Sequence, residues 1–252
     1  KGISMYAHRA GIFGARNREV DRFILKALFT TVTNVSFSPE RMGEELRKAA
    51  SIRDKARKLY EQACGKAGRQ PERLTGPAAW SPAGDIDGLV AQGQEVGIMD
   101  RIRVRGMDVA GLEELLTYGL KGTAAYADHA MILGHEDDSV YAFFHETLDS
   151  LTRTDHTTAS LLPLVLKCGE VNLRVMELLD KANTGAYGHP VPTPVRITPV
   201  KGKAILISGH DLKDLEELLK QTEGTGINIY THSEMLPAHG YPELKKYKHL
   251  VG

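Results

Sequence analysis

Apolar positions recur at helical spacing through most of this chain and give way to short β-branched runs only beyond Pro199. The spacing predicts helices over about 1–13, 17–34 and 39–66, then over about 109–132, 137–151 and 155–182. Ser38 before Pro39 is a favourable cap and first turn, and Asp155 or Thr157 is available to cap the last helix. The two helical stretches are related. Lys1, Gly2, Tyr6, Ala7, Ala10, Val20, Phe23, Leu28 and Leu46 recur in one register as Lys121, Gly122, Tyr126, Ala127, Ala130, Val140, Phe143, Leu148 and Leu166. Each copy reads as a three-helix unit, so two stacked bundles are expected over 1–67 and 109–182.

Between them, residues 68–108 are rich in Gly and Pro and read as a long connection with a short helix near Leu89, Trp80 packing against a bundle. A second break comes at 183–200, where Pro190, Pro192, Pro194 and Pro199 exclude a continuous helix. Residues 201–252 then read as strand, helix, strand: Ala204 to Ile207, a helix carrying Leu212, Leu215, Leu218 and Leu219, and Ile227 to Thr231. A crossover helix implies parallel strands. The fold class expected is multidomain α plus α/β, two three-helix bundles followed by the start of a Rossmann-like parallel sheet.

Parallel strands end on one edge, so His210, after the first strand, and Glu234, after the second, are expected near one another where open α/β sheets bind ligands. Imidazole and carboxylate suit iron or zinc, and equally suit acid/base work. The plainer alternative has His210 helping to start a helix beside Asp211 and Glu234 in a solvated turn.

Charge and composition narrow the field. Lys plus Arg equals Asp plus Glu at 32 each, without a long block of one sign, so neither nucleic acid nor an anionic membrane is an expected partner. Apolar runs such as Leu161 to Leu166 are too short to span a bilayer and no export signal is read, so the expected location is the cytoplasm. Cys64 and Cys168 alone make neither a disulfide scaffold nor a four-cysteine iron–sulfur site, and they read as packing residues.

Other motifs carry less. His145 and Glu146 open an HExx pattern, but Asp149 stands where a zinc protease needs its second histidine. His129, His135 and His156 lie near helix ends beside acidic residues, where pairing or capping is the ordinary role; His8 is ambiguous. Glu223 to Gly226 falls between helix and strand, on the wrong edge for a phosphate loop, and no P-loop or GxSxG pattern occurs. His239, Tyr230, Thr231 and Ser233 are candidates for orienting Glu234.

The string SGHDLKDLEELLKQTEGTGINIYTHSEMLPAHGYPELKKYKHLVG, with MYAHRAG near the start and GLKGTAAYADHA in the middle, resembles the hybrid-cluster proteins, also called prismane proteins or hydroxylamine reductases. The resemblance covers essentially the whole chain. It implies that His210 and Glu234 are two protein ligands of a mixed iron, sulfur and oxygen cluster, Glu234 also having a catalytic role by changing how it binds. It implies reduction of hydroxylamine to ammonia and water in the response to nitrosative stress, with nitric oxide as a second candidate substrate and a redox protein as electron donor. The family also has a cysteine motif for a 4Fe–4S or 2Fe–2S cluster just before the segment matched by Lys1 and Gly2, and further cysteines and a second glutamate beyond the segment matched here. The chain is therefore expected to be an interior segment, inactive alone. Alternatives are a non-catalytic helical scaffold and a relative of the nickel–iron carbon monoxide dehydrogenases, which match the HDL and THSEMLPAH segments less well.

Overall fold

A computed structural model describes residues 1–33 and 36–252; Asn34, the end of the helix expected over 17–34, lies outside the described residues. The chain is mostly helical with a small two-stranded parallel sheet. It divides into two compact units, Lys1–Asp128 with Asp137–Val175, and His129–Glu136 with Met176–Gly252.

In the first unit, α1 (Gly2–Ile12), α2 (Arg18–Thr30) and α3 (Pro39–Lys66) lie close to the ranges read from periodicity. Ser38 accepts the Arg41 N–H at 3.3 Å and Pro39 opens α3, the expected cap. The small residues Ala7 and Ala10 on α1 allow it to pack closely against α3 and α7 (Asp138–Ser150). Tyr6 meets Tyr60 across the α1–α3 contact, ring centroids 6.3 Å apart. Gly2 is required by space: a Cβ there would lie 2.1 Å from the Pro77 carbonyl oxygen.

The connection holds more helix than its sequence suggests. Around Leu89 runs α4 (Ile86–Gln94), capped by Asp85, and α5 (Ile98–Arg105) follows. The second was missed because it has no capping side chain and buries no residue, so neither signal of a helix is present in IMDRIRVR. Next comes α6 (Met107–Ile132), and after α7 comes α8 (Thr158–Tyr187), with Pro163 near its start. Thr157 caps α8: its Oγ1 accepts the Ser160 N–H at 3.2 Å, and Ser160 Oγ accepts the Thr157 N–H at 3.0 Å.

The internal repeat extends to backbone detail. After α1, Gly14 (φ 74°) and Ala15 donate to Gly11 and Ala10; after α6, Gly134 (φ 83°) and His135 donate to Met131 and Ala130. Asn17 and Asp137 then cap α2 and α7. Corresponding residues thus end one helix and start the next in the same way.

In the second unit, α8 runs past Asn183 to Tyr187, where Gly188 (φ 80°) stops it before Pro190. β1 (Lys203–Ser208), α9 (Leu212–Thr222) and β2 (Ile227–His232) form the expected crossover, with Lys203 opposite Ile227 and Ser208 opposite His232 in a parallel register. A 3-10 turn, Ser233–Gly240, and α10 (Pro242–Lys245) follow. The other edge of β2 is paired with residues 249–252: Ile229 N–H donates to His249 O, Val251 N–H to Ile229 O and Thr231 N–H to Gly252 O. Leu215, Leu219, Ile229 and Leu244 are fully buried and Tyr187 and Met235 nearly so; each aliphatic side chain contributes roughly 1.5–3 kcal/mol by leaving water.

Candidate metal centre

The last rung of the sheet, Ser208 opposite His232, brings both strands to one edge, and Ser208 Oγ lies 3.3 Å from His232 Nδ1. Beyond β1 the backbone turns at Gly209 (φ 149°), with Met235 Cε 3.7 Å from where a Cβ would be. His210 follows. Asp211, rather than His210, caps α9, accepting the Lys213 N–H at 2.8 Å, which leaves the imidazole uncommitted to the helix. Beyond β2 the backbone turns at Ser233 (φ 55°), the one non-glycine residue with positive φ among the described residues. Glu234 comes next. Met235 and Ala238 are buried, so this face of the turn is fixed in the core while Glu234 stays outside.

His210 Nε2 and Glu234 Oε2 are in direct contact. Both side chains are about three-fifths exposed, at 62% and 61%. As a bare ion pair such a contact contributes little, on the order of 0–1 kcal/mol. As a donor pair it presents one nitrogen and one carboxylate oxygen at the same point, a set that suits iron. Among the described residues no group of three or more His, Cys, Asp or Glu side chains is placed to hold a metal ion. Cys64 and Cys168 are buried in the first unit, where burial pushes the Cys168 thiol pKa up and keeps it protonated.

The candidate orienting residues divide. His239 is 7% exposed, and its Nε2 lies 2.9 Å from Thr231 Oγ1; burial lowers its pKa, opposed by the Gly252 backbone. It is thus held within the fold rather than exposed beside Glu234. Tyr230 is committed elsewhere, its hydroxyl accepting the Val200 N–H at 2.6 Å. His232 was not singled out by sequence, although its place as the rung beside Ser208 was the available signal.

A second polar cluster lies in the first unit. His145 Nδ1 is 3.1 Å from Ser4 Oγ, and Nε2 is 3.0 Å from Asp21 Oδ1. Its composition is that of a hydrolase triad, but Ser4 is fully buried, so no substrate carbonyl can reach its hydroxyl. The cluster ties α1, α2 and α7 together beside a cleft of about 220 Å³ that His8 and Arg16 also line. The incomplete zinc pattern is thereby accounted for: His145 is in this network and Glu146 pairs with Lys167 at 2.8 Å. His156 has the expected helix-boundary role, bonded to Ser150 and Ser160.

Among the described residues no helix is long and apolar enough to cross a membrane. The family model for the Prismane/CO dehydrogenase family matches residues 1–252. The chain is 57% identical over 252 residues to a protein of Rhodospirillum rubrum named hydroxylamine reductase, 52% identical over 253 residues to one of Syntrophobacter fumaroxidans, and 49% identical over 251 residues to one of Methanocella arvoryzae. Each alignment takes in 100% of this chain and 46% of the relative, so the chain spans about half the length of these curated relatives. With the family model matching from end to end, the chain belongs to the Prismane/CO dehydrogenase family.

Proposed function

We propose that the whole protein is a hydroxylamine reductase and that His210 and Glu234 are two of the ligands of its hybrid iron–sulfur–oxygen cluster. The observation that carries this reading is the meeting of these two side chains at the carboxyl edge of the parallel strands, in a chain whose relatives bear that name. The reaction is NH2OH + 2 H⁺ + 2 e⁻ → NH3 + H2O. A redox protein would supply the electrons, and nitric oxide is a second candidate substrate. When bound, the cluster would supply electrons and a Lewis-acidic iron.

The chain's own residues have distinct parts in this reading. His210 would hold an iron through Nε2, presented by the turn at Gly209. Glu234 would bind through its carboxylate and take the catalytic role by changing how that carboxylate binds, through one oxygen or two. Remaining ligands, and the cysteines of a 4Fe–4S or 2Fe–2S cluster, would come from other parts of the whole protein. The helical part would then be two three-helix bundles, 1–67 and 109–182, joined by 68–108, with a link at 183–200 leading to a Rossmann-like domain that begins at 201. The matching turns at Gly14 and Gly134 support that division. Two buried cysteines without a disulfide fit a reducing compartment, and we place the protein in the cytoplasm.

The isolated chain would then serve as a scaffold, since the remaining ligands come from other parts of the whole protein. Iron and acid-labile sulfide measured on the whole protein, with ammonia formed from hydroxylamine by a reduced dye, test the proposal. Several irons per chain and stoichiometric ammonia are expected; a metal-free, inactive protein after anaerobic reconstitution would overturn it.

A further inference from the structure

We propose that the hydrogen bond between His239 and Thr231 is a brace that positions Glu234 for metal, an inference that rests on the reading of Glu234 as a ligand. The Glu234 side chain is 61% exposed and meets the equally exposed His210, a contact that water screens and that does not by itself fix the carboxylate. Its placement therefore depends on the backbone. That backbone leaves β2 through Ser233 at φ 55°, a conformation that L residues adopt only when both flanks are held.

The upstream flank is held by the sheet, with His232 in register with Ser208 and the Thr231 N–H donating to Gly252 O at 2.8 Å. Downstream, Met235 and Ala238 are buried, and His239 closes the turn. The His239 side chain returns to Thr231, a residue on the far side of the Ser233 corner, at 2.9 Å. The bond thus closes a ring of chain from 231 to 239 with Ser233 and Glu234 inside it. At 7% exposure His239 is shielded from water that would compete for the bond. A histidine that merely filled the core would affect folding alone; a brace also sets where the Glu234 carboxylate stands.

The test uses the whole protein loaded with iron, in the variants Thr231→Val, His239→Ala, His239→Gln and Glu234→Ala, read by iron affinity, the electron paramagnetic resonance spectrum and far-ultraviolet circular dichroism. We expect Thr231→Val and His239→Ala to keep the helical spectrum, bind iron about 10- to 100-fold more weakly and shift the resonance positions. His239→Gln, whose amide can still donate and accept a hydrogen bond, should move both readouts back toward wild type. If Thr231→Val and His239→Ala match wild type in affinity and spectrum while Glu234→Ala loses iron, the brace is wrong and the ligand stands. If Glu234→Ala also matches wild type, the ligand reading fails and the brace with it. Should His239→Ala not fold, Thr231→Val decides, because it keeps the side-chain shape and removes only the hydroxyl.

Discussion

The buried pair Asp21–His145 allows a quantitative test of how the helices of the first unit are held. Asp21 is 6% exposed and His145 5%, so removing one partner leaves a polar group that water cannot reach. His145→Leu strands the Asp21 carboxylate and the fully buried Ser4 hydroxyl. Breaking a buried pair costs roughly 3–5 kcal/mol, but the Arg18 guanidinium remains 3.8 Å from Asp21, so a loss near the lower limit, about 3 kcal/mol, is expected. Asp21→Leu leaves an imidazole that keeps its bond to Ser4, and an unsatisfied ring nitrogen costs about 1–3 kcal/mol. The double variant leaves only Ser4 unpaired and should cost about 1–2 kcal/mol, less than His145→Leu alone. Equilibrium urea denaturation followed by circular dichroism gives all corners of this cycle. A double-variant loss equal to the sum of the single losses would refute the reasoning, since it would mean that the residues do not depend on one another.

Other expectations follow from the second unit. Leu215→Ala, in the centre of its core, should cost about 2–5 kcal/mol and lower the melting temperature measured by calorimetry. For Glu216, burial raises the pKa, but the amines of Lys213 and Lys220 prevail and bring it from 4.5 down to about 2. A depressed carboxylate pKa gives stability that is present above pH 4.5 and lost as pH falls toward 2. Solvent screening limits this to about 1 kcal/mol, and Glu216→Gln should flatten that part of a stability–pH curve by losing about that much at neutral pH while changing little near pH 2. Ser233→Gly should raise stability by about 0.5–1 kcal/mol by relieving the positive φ; a lower melting temperature would show that the corner is unstrained.

Much of the fold could be read from the chain because the signals were local. Ser38–Pro39 marks the start of α3, the β-branched runs at 204–207 and 227–231 give the strands, and the crossover makes them parallel. The convergence of His210 and Glu234 followed from that topology alone. What escaped depends on tertiary contact. α5 lacks both cap and buried face, and the continuation of α8 to Tyr187 is ended by Gly188 rather than by the prolines that follow. Ser4 and Asp21 gave no pattern because their meeting with His145 brings together three separate helices. The one available sign was an acidic residue beside Val20, Ile24 and Leu25 on the buried face of α2. Likewise, the positive φ at Ser233 has no sequence signature, since serine is not a residue that marks such a corner.

The central claim is that His210 and Glu234 bind iron, and the most direct measurement is electron–nuclear double resonance on the whole protein grown with nitrogen-labelled histidine. The account predicts a coupling from one imidazole nitrogen to the iron signal that disappears in His210→Ala, together with loss of iron in Glu234→Ala while the helical circular dichroism is kept. A nitrogen coupling that survives His210→Ala, or undiminished iron in both variants, would contradict it.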